Sequence, residues 1–269
     1  MASDLSDEIL ERALVGRFGR YRRVYDSIDS TNLEALRWAA EQDAAEGSIV
    51  VADSQSAGRG RWGRSWLSRS GAALMFSVVL RPEPPADVGL LTTVGGLAVA
   101  TAIERTTSLQ SAIKWPNDVL VNQRKISGVL VESRGVGHAT NALVLGAGIN
   151  LHWRPRDLPA EIAGGATSIG QELEVARRGR VPARADLLAA VLGDLESLYD
   201  DLASDSGRAK VIELATARSS ILGGEVTVRF SDGSSTTGVA AALAPDGALV
   251  LDDGRKLHSG EIERIRPVP

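Results

Sequence analysis

The chain alternates between two patterns of apolar positions, which predicts helices and strands mixed through most of its length. Short apolar runs bounded by turn residues are typical of buried strands, and apolar residues three or four positions apart are typical of helices. The predicted strands cover 21–27, 48–54, 73–80 and 142–151, and the predicted helices cover 7–18, 30–47, 87–107, 183–203 and 207–217.

Capping and turn residues define the ends of some predicted elements more closely. Ser30 or Thr31 can cap the second helix, Thr31 and Glu34 have capping-box spacing, and Gly47 can close the helix. Residues 118–122 and 125–133 flank the polar turn Asn122-Gln123-Arg124, which predicts a β-hairpin.

The character of the sequence changes near residue 221. From there on, short apolar stretches are separated by the turn signals "SDGS", "APDG" and "DDGRK". About 50 residues of this kind are typical of a small β-barrel. We therefore predict a larger α+β domain over 1–220 and a small β domain over 221–269.

Composition limits the possible functions. The net charge is −4, so any basic function must be local, and the absence of cysteine excludes disulfides, thiolate metal sites and thiolate nucleophiles. His138, His152 and His258 lack metal-ligand spacing. The acidic, amphipathic N-terminus is unlike a signal peptide, and the apolar stretch 89–103 is too short and too rich in Gly and Thr to span a bilayer. We predict a cytoplasmic protein without membrane partners.

The segment "SAGRGRWGRSW" (56–66) holds three glycines and three arginines. It contains G-x-G-x-x-G, but a strand follows where a dinucleotide-binding fold needs a helix, and no Walker A sequence is present. The basic run is short for nucleic-acid binding in an acidic chain. Glycine entropy and arginine repulsion instead predict a loop that is mobile when empty and orders around a polyanion.

A second polar cluster occurs in "KWPNDVLVNQRKISGVLVE" (114–132). It places Lys114, Asn117, Asp118 and Lys125 within twelve residues, around predicted strands. Taken alone, this pattern also fits an ordinary polar turn and hairpin. Together with the arginine loop and the Ser30-Thr31-Asn32 sequence, it indicates a binding site.

These motifs together resemble those of biotin–protein ligases. The matching sequences are "DSTN" (29–32), "QSAGRGRWGRSW" (55–66), "KWPNDVL" (114–120), "RKISGVLVE" (124–132) and "GAGINL" (146–151), in the family's order. The resemblance covers roughly 20–265 and implies an α+β fold, with a mixed-sheet catalytic domain followed by an SH3-like β-barrel. Only 29 residues precede Ser30, which predicts the ligase-only type, without an N-terminal DNA-binding domain and without DNA as a partner.

The resemblance implies a two-step reaction. ATP, with Mg²⁺, activates the biotin carboxylate as biotinyl-5′-adenylate, and a lysine of a biotin carboxyl carrier domain of an acyl-CoA carboxylase then receives the biotin. Lipoate–protein ligases share the fold but lack this arginine loop, and a cysteine-dependent octanoyl transferase is excluded by composition. A repressor or a biotin sensor without turnover is the other alternative, and retention of Lys125 and Asp118 argues against a dead enzyme.

The resemblance also implies roles for individual residues. Trp62 departs from the family, in which a basic residue is common at this position. Metal ligands are not implied, and Asp118 is left with two possible roles, orienting Mg²⁺ or orienting the acceptor lysine. The implied biotin-binding residues are Ser30, Thr31, Asn32, Gln55, Arg59, Gly60, Arg61, Lys125 and Gly128; the implied ATP-binding residues are Arg61, Arg64, Trp66, Asn117, Asp118 and Asn150; and the implied catalytic residues are Arg61, Lys125 and Asp118.

Overall fold

The computed structural model describes residues 4–41, 44–67, 69–82, 87–133 and 142–267. The helices within these ranges are α1 (Asp7–Ala13), α2 (Thr31–Ala40), α3 (Val88–Thr107), α4 (Ala160–Ala163), α5 (Ile169–Ala176), α6 (Arg184–Asp201) and α7 (Asp205–Ala217). The strands are β1 (Arg22–Ile28), β2 (Ile49–Gln55), β3 (Ala73–Leu80), β4 (Ala112–Lys114), β5 (Asp118–Val121), β6 (Arg124–Ser133), β7 (Leu143–Asn150), β8 (Gly224–Arg229), β9 (Ser235–Leu243), β10 (Leu249–Leu251), β11 (Lys256–Leu257) and β12 (Glu261–Pro267).

The first seven strands form one mixed sheet in the order β1-β2-β3-β7-β6-β5-β4. Strands β1 and β2 pair in parallel, and every other pairing in this sheet is antiparallel. Strand β3 is buried along its whole length because it lies inside the sheet, between β2 and β7. The prediction of a mixed-sheet α+β domain is confirmed.

Helices cover both faces of this sheet. Helix α2 packs on one face, where Ala35, Leu36 and Trp38 meet Val50 and Val144. The main core lies on the other face and includes apolar residues of α1, α3, α6 and α7. Helix α3 is the one described helix with the length and apolar composition to cross a membrane, and most of its residues are buried within the fold.

The last five strands form a separate antiparallel sheet in the order β11-β10-β9-β8-β12. Its core also includes Trp115, which lies between β4 and β5 of the first sheet. The Trp115 indole N–H donates to the carbonyl of Gly247 at 3.1 Å. The small β unit is therefore docked beside the "KWPND" segment, and the prediction of an SH3-like C-terminal unit is confirmed.

Two predicted helices are shorter in the structure. Helix α1 ends at Ala13 rather than at residue 18, and Phe18 is buried in the core. Helix α2 ends at Ala40 rather than at Gly47. Gly47 has a φ of +80°, and a Cβ there would come within 2.6 Å of Phe18 Cδ1. Its conformation therefore serves a tight turn before β2 and not a helix end.

The predicted capping box is also wrong. Ser30 is the N-cap of α2, and its side chain makes no capping hydrogen bond. The Thr31 hydroxyl lies instead 3.2 Å from Gln55 Oε1, and Glu34 accepts from Tyr25 and Arg23. Both side chains that the capping box would use therefore bond to residues outside the helix.

The hairpin between β5 and β6 has a two-residue turn rather than the predicted three-residue turn. Asn122 and Gln123 have φ of +49° and +63°, the pattern of a type I′ turn, and Arg124 already belongs to β6. Strand β4 and helices α4 and α5 were not predicted, because these short segments carry too few residues to establish a period.

A buried carboxylate in α5 joins this hairpin to the rest of the domain. Glu172 is fully buried, and it accepts from Asn122 Nδ2 at 2.6 Å, from Arg124 Nη2 at 2.6 Å and from the Thr167 hydroxyl. Glu172→Ala leaves three donors without their acceptor, so we expect the free energy of unfolding to fall by about 2 kcal/mol. Urea unfolding measures this. Glu174→Ala, an exposed neighbour on the same helix, is the control, and equal losses in the two variants would contradict the role of Glu172.

Candidate active site

A pocket opens at the N-terminus of α2, above strands β2, β3, β6 and β7. It is a narrow pocket that is open to solvent, and about 30 Å³ of its interior can hold water-sized groups. Of the predicted residues, it is lined by Ser30, Thr31, Asn32, Gln55, Arg59, Trp66 and Gly128, and Met75, Leu130, Gly146, Ala147 and Gly148 complete its wall.

The floor of the pocket is a buried polar network. Gln55 Oε1 accepts from the Thr31 backbone N–H at 2.7 Å and lies 3.2 Å from the Thr31 hydroxyl. Ser77 Oγ lies 2.8 Å from Thr31 Oγ1 and donates to Asn32 Oδ1 at 2.6 Å. Thr31, Asn32 and Ser77 are buried, so the network holds its side chains in fixed orientations.

Two glycines of β7 make room for the pocket's larger side chains. A Cβ on Gly146 would come within 1.9 Å of Asn32 Oδ1, and one on Gly148 would come within 2.4 Å of the Trp66 ring. Trp66 thus lies close against β7. Its indole N–H is buried and has no hydrogen-bond partner among the described residues.

The arginine loop folds back on itself over this pocket. The Gly60 N–H donates to the Arg64 carbonyl at 2.7 Å, and the Trp66 N–H donates to the Gly58 carbonyl at 2.9 Å. Trp62, at the tip, has a φ of +56°, which is strained for a residue with a bulky side chain. Its ring faces both neighbouring guanidinium groups, with Arg61 at 5.4 Å and Arg64 at 5.7 Å from the centroid.

Two loop arginines reach the C-terminal β unit. Arg61 Nη1 donates to the Gly260 carbonyl at 2.7 Å, and Arg64 forms a two-pronged ion pair with Glu261. Burial acts to raise the pKa of Glu261, but its hydrogen bond and charge interaction with Arg64, helped by the charges of Arg229 and Lys114, lower that pKa below its ordinary value. The carboxylate therefore stays ionised and holds the loop against β12.

Burial lowers the pKa of Arg61 from its ordinary value. Attraction to Asp118 and Glu261 opposes this shift, and repulsion from Arg64 adds to it. A guanidinium stays charged in proteins, so Arg61 is a partly desolvated cation whose neighbours compensate its charge incompletely. Such a group favours an arriving anion.

Lys125 lies beside the pocket on a rigid strand. Its Nζ is 2.5 Å from Asp118 Oδ1 and 5.8 Å from the Trp66 ring centroid. Its backbone N–H donates to the Gly165 carbonyl, and its carbonyl accepts from the Thr167 N–H, each at 2.8 Å. Asp118 therefore contacts Lys125 directly and also attracts the Arg61 guanidinium.

Most of the other predicted residues lie around the pocket without lining it. Asn117 donates to the Val129 carbonyl at 3.0 Å, and Asn150, which is buried, donates to the Thr167 carbonyl at 3.0 Å. A Cβ on Gly128 would come within 3.1 Å of the Lys125 side chain, so this glycine gives room to Lys125 as well as to the pocket. Gly60, Arg61, Arg64, Asn117, Asp118, Lys125 and Asn150 are not among the pocket-lining residues.

Sequence reasoning missed several polar and small residues of the site. Ser77 interrupts the apolar run of β3, and Glu132 follows an apolar run near the end of β6. A polar residue at such a position is a weak sequence signal for a binding site. No group of three or more His, Asp or Glu side chains in the described ranges could hold a metal ion, and His138 lies outside those ranges.

We expect the loop to become protected from protease when its ligands bind. In the structure its arginines meet Glu132, Gly260 and Glu261 by polar contacts, and an anion would add charge-assisted bonds. Trypsin should cut after Arg59, Arg61 or Arg64 in the free protein, and more slowly with biotin and ATP. Cutting within the exposed segment 177–180 is the internal control, and unchanged cutting of the loop would contradict the prediction.

The fold thus joins a mixed-sheet domain, with a polar pocket beside several cations, to a small antiparallel β unit. Residues 24–150 match the family described as "Biotin/lipoate A/B protein ligase family", and residues 221–264 match "Biotin protein ligase C terminal domain". A "Bifunctional ligase/repressor BirA" of Bacillus subtilis is 32% identical over 244 residues, which are 89% of this chain and 73% of that relative. A "Biotin--[acetyl-CoA-carboxylase] ligase" of Mycobacterium tuberculosis is 29% identical over 272 residues, 97% of this chain and 96% of that relative.

Solved structures give the same result. The biotin protein ligase of Aquifex aeolicus in complex with biotin and ATP superposes with a TM-score of 0.76 and 30% identity, covering 93% of this chain and 100% of that one. The chain belongs to the biotin protein ligase family.

Proposed function

We propose that this protein is an ATP-dependent ligase that activates biotin as biotinyl-5′-AMP and transfers it to a specific lysine of the biotin carboxyl carrier domain of an acyl-CoA carboxylase. The observation that carries the proposal is the position of Lys125, Asp118 and Arg61 beside a pocket with a polar, buried floor. A ureido ring has both N–H donors and a carbonyl acceptor, and hydroxyl and amide groups can satisfy both.

The first step forms a mixed anhydride. A biotin carboxylate oxygen attacks the α-phosphorus of ATP. The bond between this phosphorus and the oxygen that bridges to the β-phosphate breaks, and pyrophosphate leaves. Both partners are anions, so the step needs fixed positive charge where they meet. Lys125 supplies such charge from a strand, and Arg61 supplies it from the loop.

The second step forms the amide. The uncharged ε-amine of the carrier lysine attacks the acyl carbon of the anhydride, AMP leaves with the bonding electron pair, and the nitrogen loses a proton. One role we propose for Asp118 is to orient that amine, and its ion pair with Lys125 shows that it can hold an ammonium or amine nitrogen. By the same proposal Ser30, Thr31, Asn32, Gln55, Arg59, Gly60 and Gly128 surround biotin, and Arg64, Trp66, Asn117 and Asn150 bind ATP.

Mg²⁺ fits this site as a companion of ATP. Asp118 is the carboxylate that lies against Lys125 at the edge of the site, and Mg²⁺ is commonly held by one or two carboxylates together with substrate phosphates and water. When bound, the ion would neutralise charge on the phosphates. Holding this ion is the alternative role of Asp118, beside orienting the acceptor lysine.

We further propose that 1–220 form the catalytic unit and 221–269 an accessory unit. Ile221 packs into the core of the C-terminal sheet, whose first strand begins at Gly224. Contacts of Arg61 and Arg64 with β12 and the residue before it support a role for this unit in holding the loop. We expect the protein to work in the cytoplasm without DNA or membrane partners.

Exchange of labelled pyrophosphate into ATP tests the activation step. The proposal predicts exchange that depends on biotin and is not supported by lipoate at the same concentration. Exchange with lipoate alone would contradict the choice of substrate, and no exchange with either acid would contradict the proposed function.

A further inference from the structure

One carboxylate connects the floor of the pocket with the arginine loop. Glu132 Oε1 lies 3.0 Å from Arg59 Nη2, and its Oε2 accepts from Asn32 Nδ2 at 2.8 Å. Its side chain is 18% exposed, so both contacts are partly shielded from water. Glu132 is not among the residues assigned above to biotin or ATP.

The contacts of Asn32 determine which end of its carboxamide can form a hydrogen bond with a ligand. One N–H of its Nδ2 donates to Glu132, and the other faces the Leu130 carbonyl at 3.3 Å. Its Oδ1 accepts from the Ser77 hydroxyl and keeps a second lone pair. Asn32 can therefore accept a hydrogen bond from a ligand N–H but has no further donor to offer.

We propose that Glu132 is a positioning residue for biotin that makes Asn32 an acceptor and at the same time holds Arg59 over the pocket. This inference rests on the proposed function. A carboxylate can perform both tasks because each of its oxygens is an acceptor. A ligand with a ring N–H facing Asn32 is then favoured over one that lacks it.

The chemistry of a carboxamide at this position makes the inference testable. The Glu132→Gln substitution keeps nearly the same side-chain shape, but only one of the two ends of the new carboxamide is an acceptor. Either Asn32 or Arg59 must then face an N–H group instead of an acceptor. If Arg59 is removed as well, the amide oxygen is free to turn to Asn32, and the conflict disappears.

The experiment is a double-mutant cycle on biotin affinity without ATP, measured by calorimetry. In the parent background, Glu132→Gln should weaken biotin binding about tenfold, the effect of one lost charge-assisted or orienting hydrogen bond. In the Arg59→Ala background, the same substitution should weaken binding less than about threefold, because the two residues are coupled. Glu263→Gln, which breaks a surface pair with Arg229 in the C-terminal sheet, is the control and should bind biotin like the parent.

Thermal unfolding of every variant separates positioning from general stability. If Glu132 had a purely structural role, the Glu132→Gln substitution would lower the melting temperature equally in both backgrounds and leave biotin affinity unchanged. Unchanged affinity in Glu132→Gln, or an equal loss with and without Arg59, overturns the inference. Failure of the parent protein to bind biotin would instead overturn the proposed function on which the inference rests.

Discussion

Lys125→Gln should slow biotin-dependent exchange of pyrophosphate into ATP by about 10²-fold or more, the range seen when one electrostatic stabiliser of a transition state is lost. The substitution keeps most of the side-chain length and removes the charge. Backbone hydrogen bonds to Gly165 and Thr167 hold the Lys125 backbone, and its Nζ lies 2.5 Å from Asp118 Oδ1, so we expect its charge to be in place before the ligands arrive. Its loss leaves Asp118 facing the incoming anions without the cation that contacts it directly.

Lys210→Gln is the matched control for this prediction. Lys210 also forms a lysine–aspartate pair, with Asp201 at 2.9 Å, but the pair lies on the exposed side of α6 and α7. Surface pairs contribute little, so exchange should stay within about twofold of the parent. If Lys125→Gln unfolds normally and stays within about threefold of the parent, a barrier change below about 0.7 kcal/mol, Lys125 does not belong to the site.

Arg61→Ala should release the adenylate about ten to a hundred times faster, which corresponds to about 1.5–3 kcal/mol for one charge-assisted partner of a buried anion. The substitution also removes the hydrogen bond from the loop to the Gly260 carbonyl, so the loop loses a contact with the C-terminal unit. Free biotinyl-5′-AMP reacts with amines, and we therefore expect biotin on many lysines of nearby proteins.

Two readouts check the Arg61 prediction. The dissociation rate of preformed adenylate gives the size of the effect, and peptide mapping of the carrier gives the number of labelled lysines. Arg12→Ala, in an exposed helical pair with Glu8, is the control and should leave both unchanged. Labelling of a single carrier lysine by Arg61→Ala, with an unchanged dissociation rate, would contradict the role of Arg61.

Local sequence signals located most of the sheet and the charged residues of the site. The apolar run of 73–80 predicted β3 with the bounds that the structure has. A strand that is buried on both faces forms a continuous apolar run, which can be identified from the sequence without knowing its neighbours. The arginine loop and Lys125 were found for a similar reason, since their chemistry lies within short segments. The predictions failed where tertiary contacts decided the outcome: Thr31 and Glu34 have capping spacing, yet their partners are Gln55, Tyr25 and Arg23.

The residues that sequence reasoning missed act across long separations in the chain. Glu132 meets Asn32 across 100 residues, and Ser77 meets Asn32 across 45. Gly146 matters only because β7 runs beneath the Asn32 side chain. The weak local signals of Ser77 and Glu132 do not name their partner, and the contacts with Asn32 become visible only when the mixed sheet brings the strands together.

The most direct test of the central claim is mass spectrometry of a purified biotin carboxyl carrier domain incubated with this protein, biotin and ATP. The account predicts that the carrier gains the mass of one biotin, on a single lysine, and that omission of ATP or biotin prevents the gain. An unchanged carrier mass, with a carrier that a known biotin protein ligase does modify under the same conditions, would contradict it.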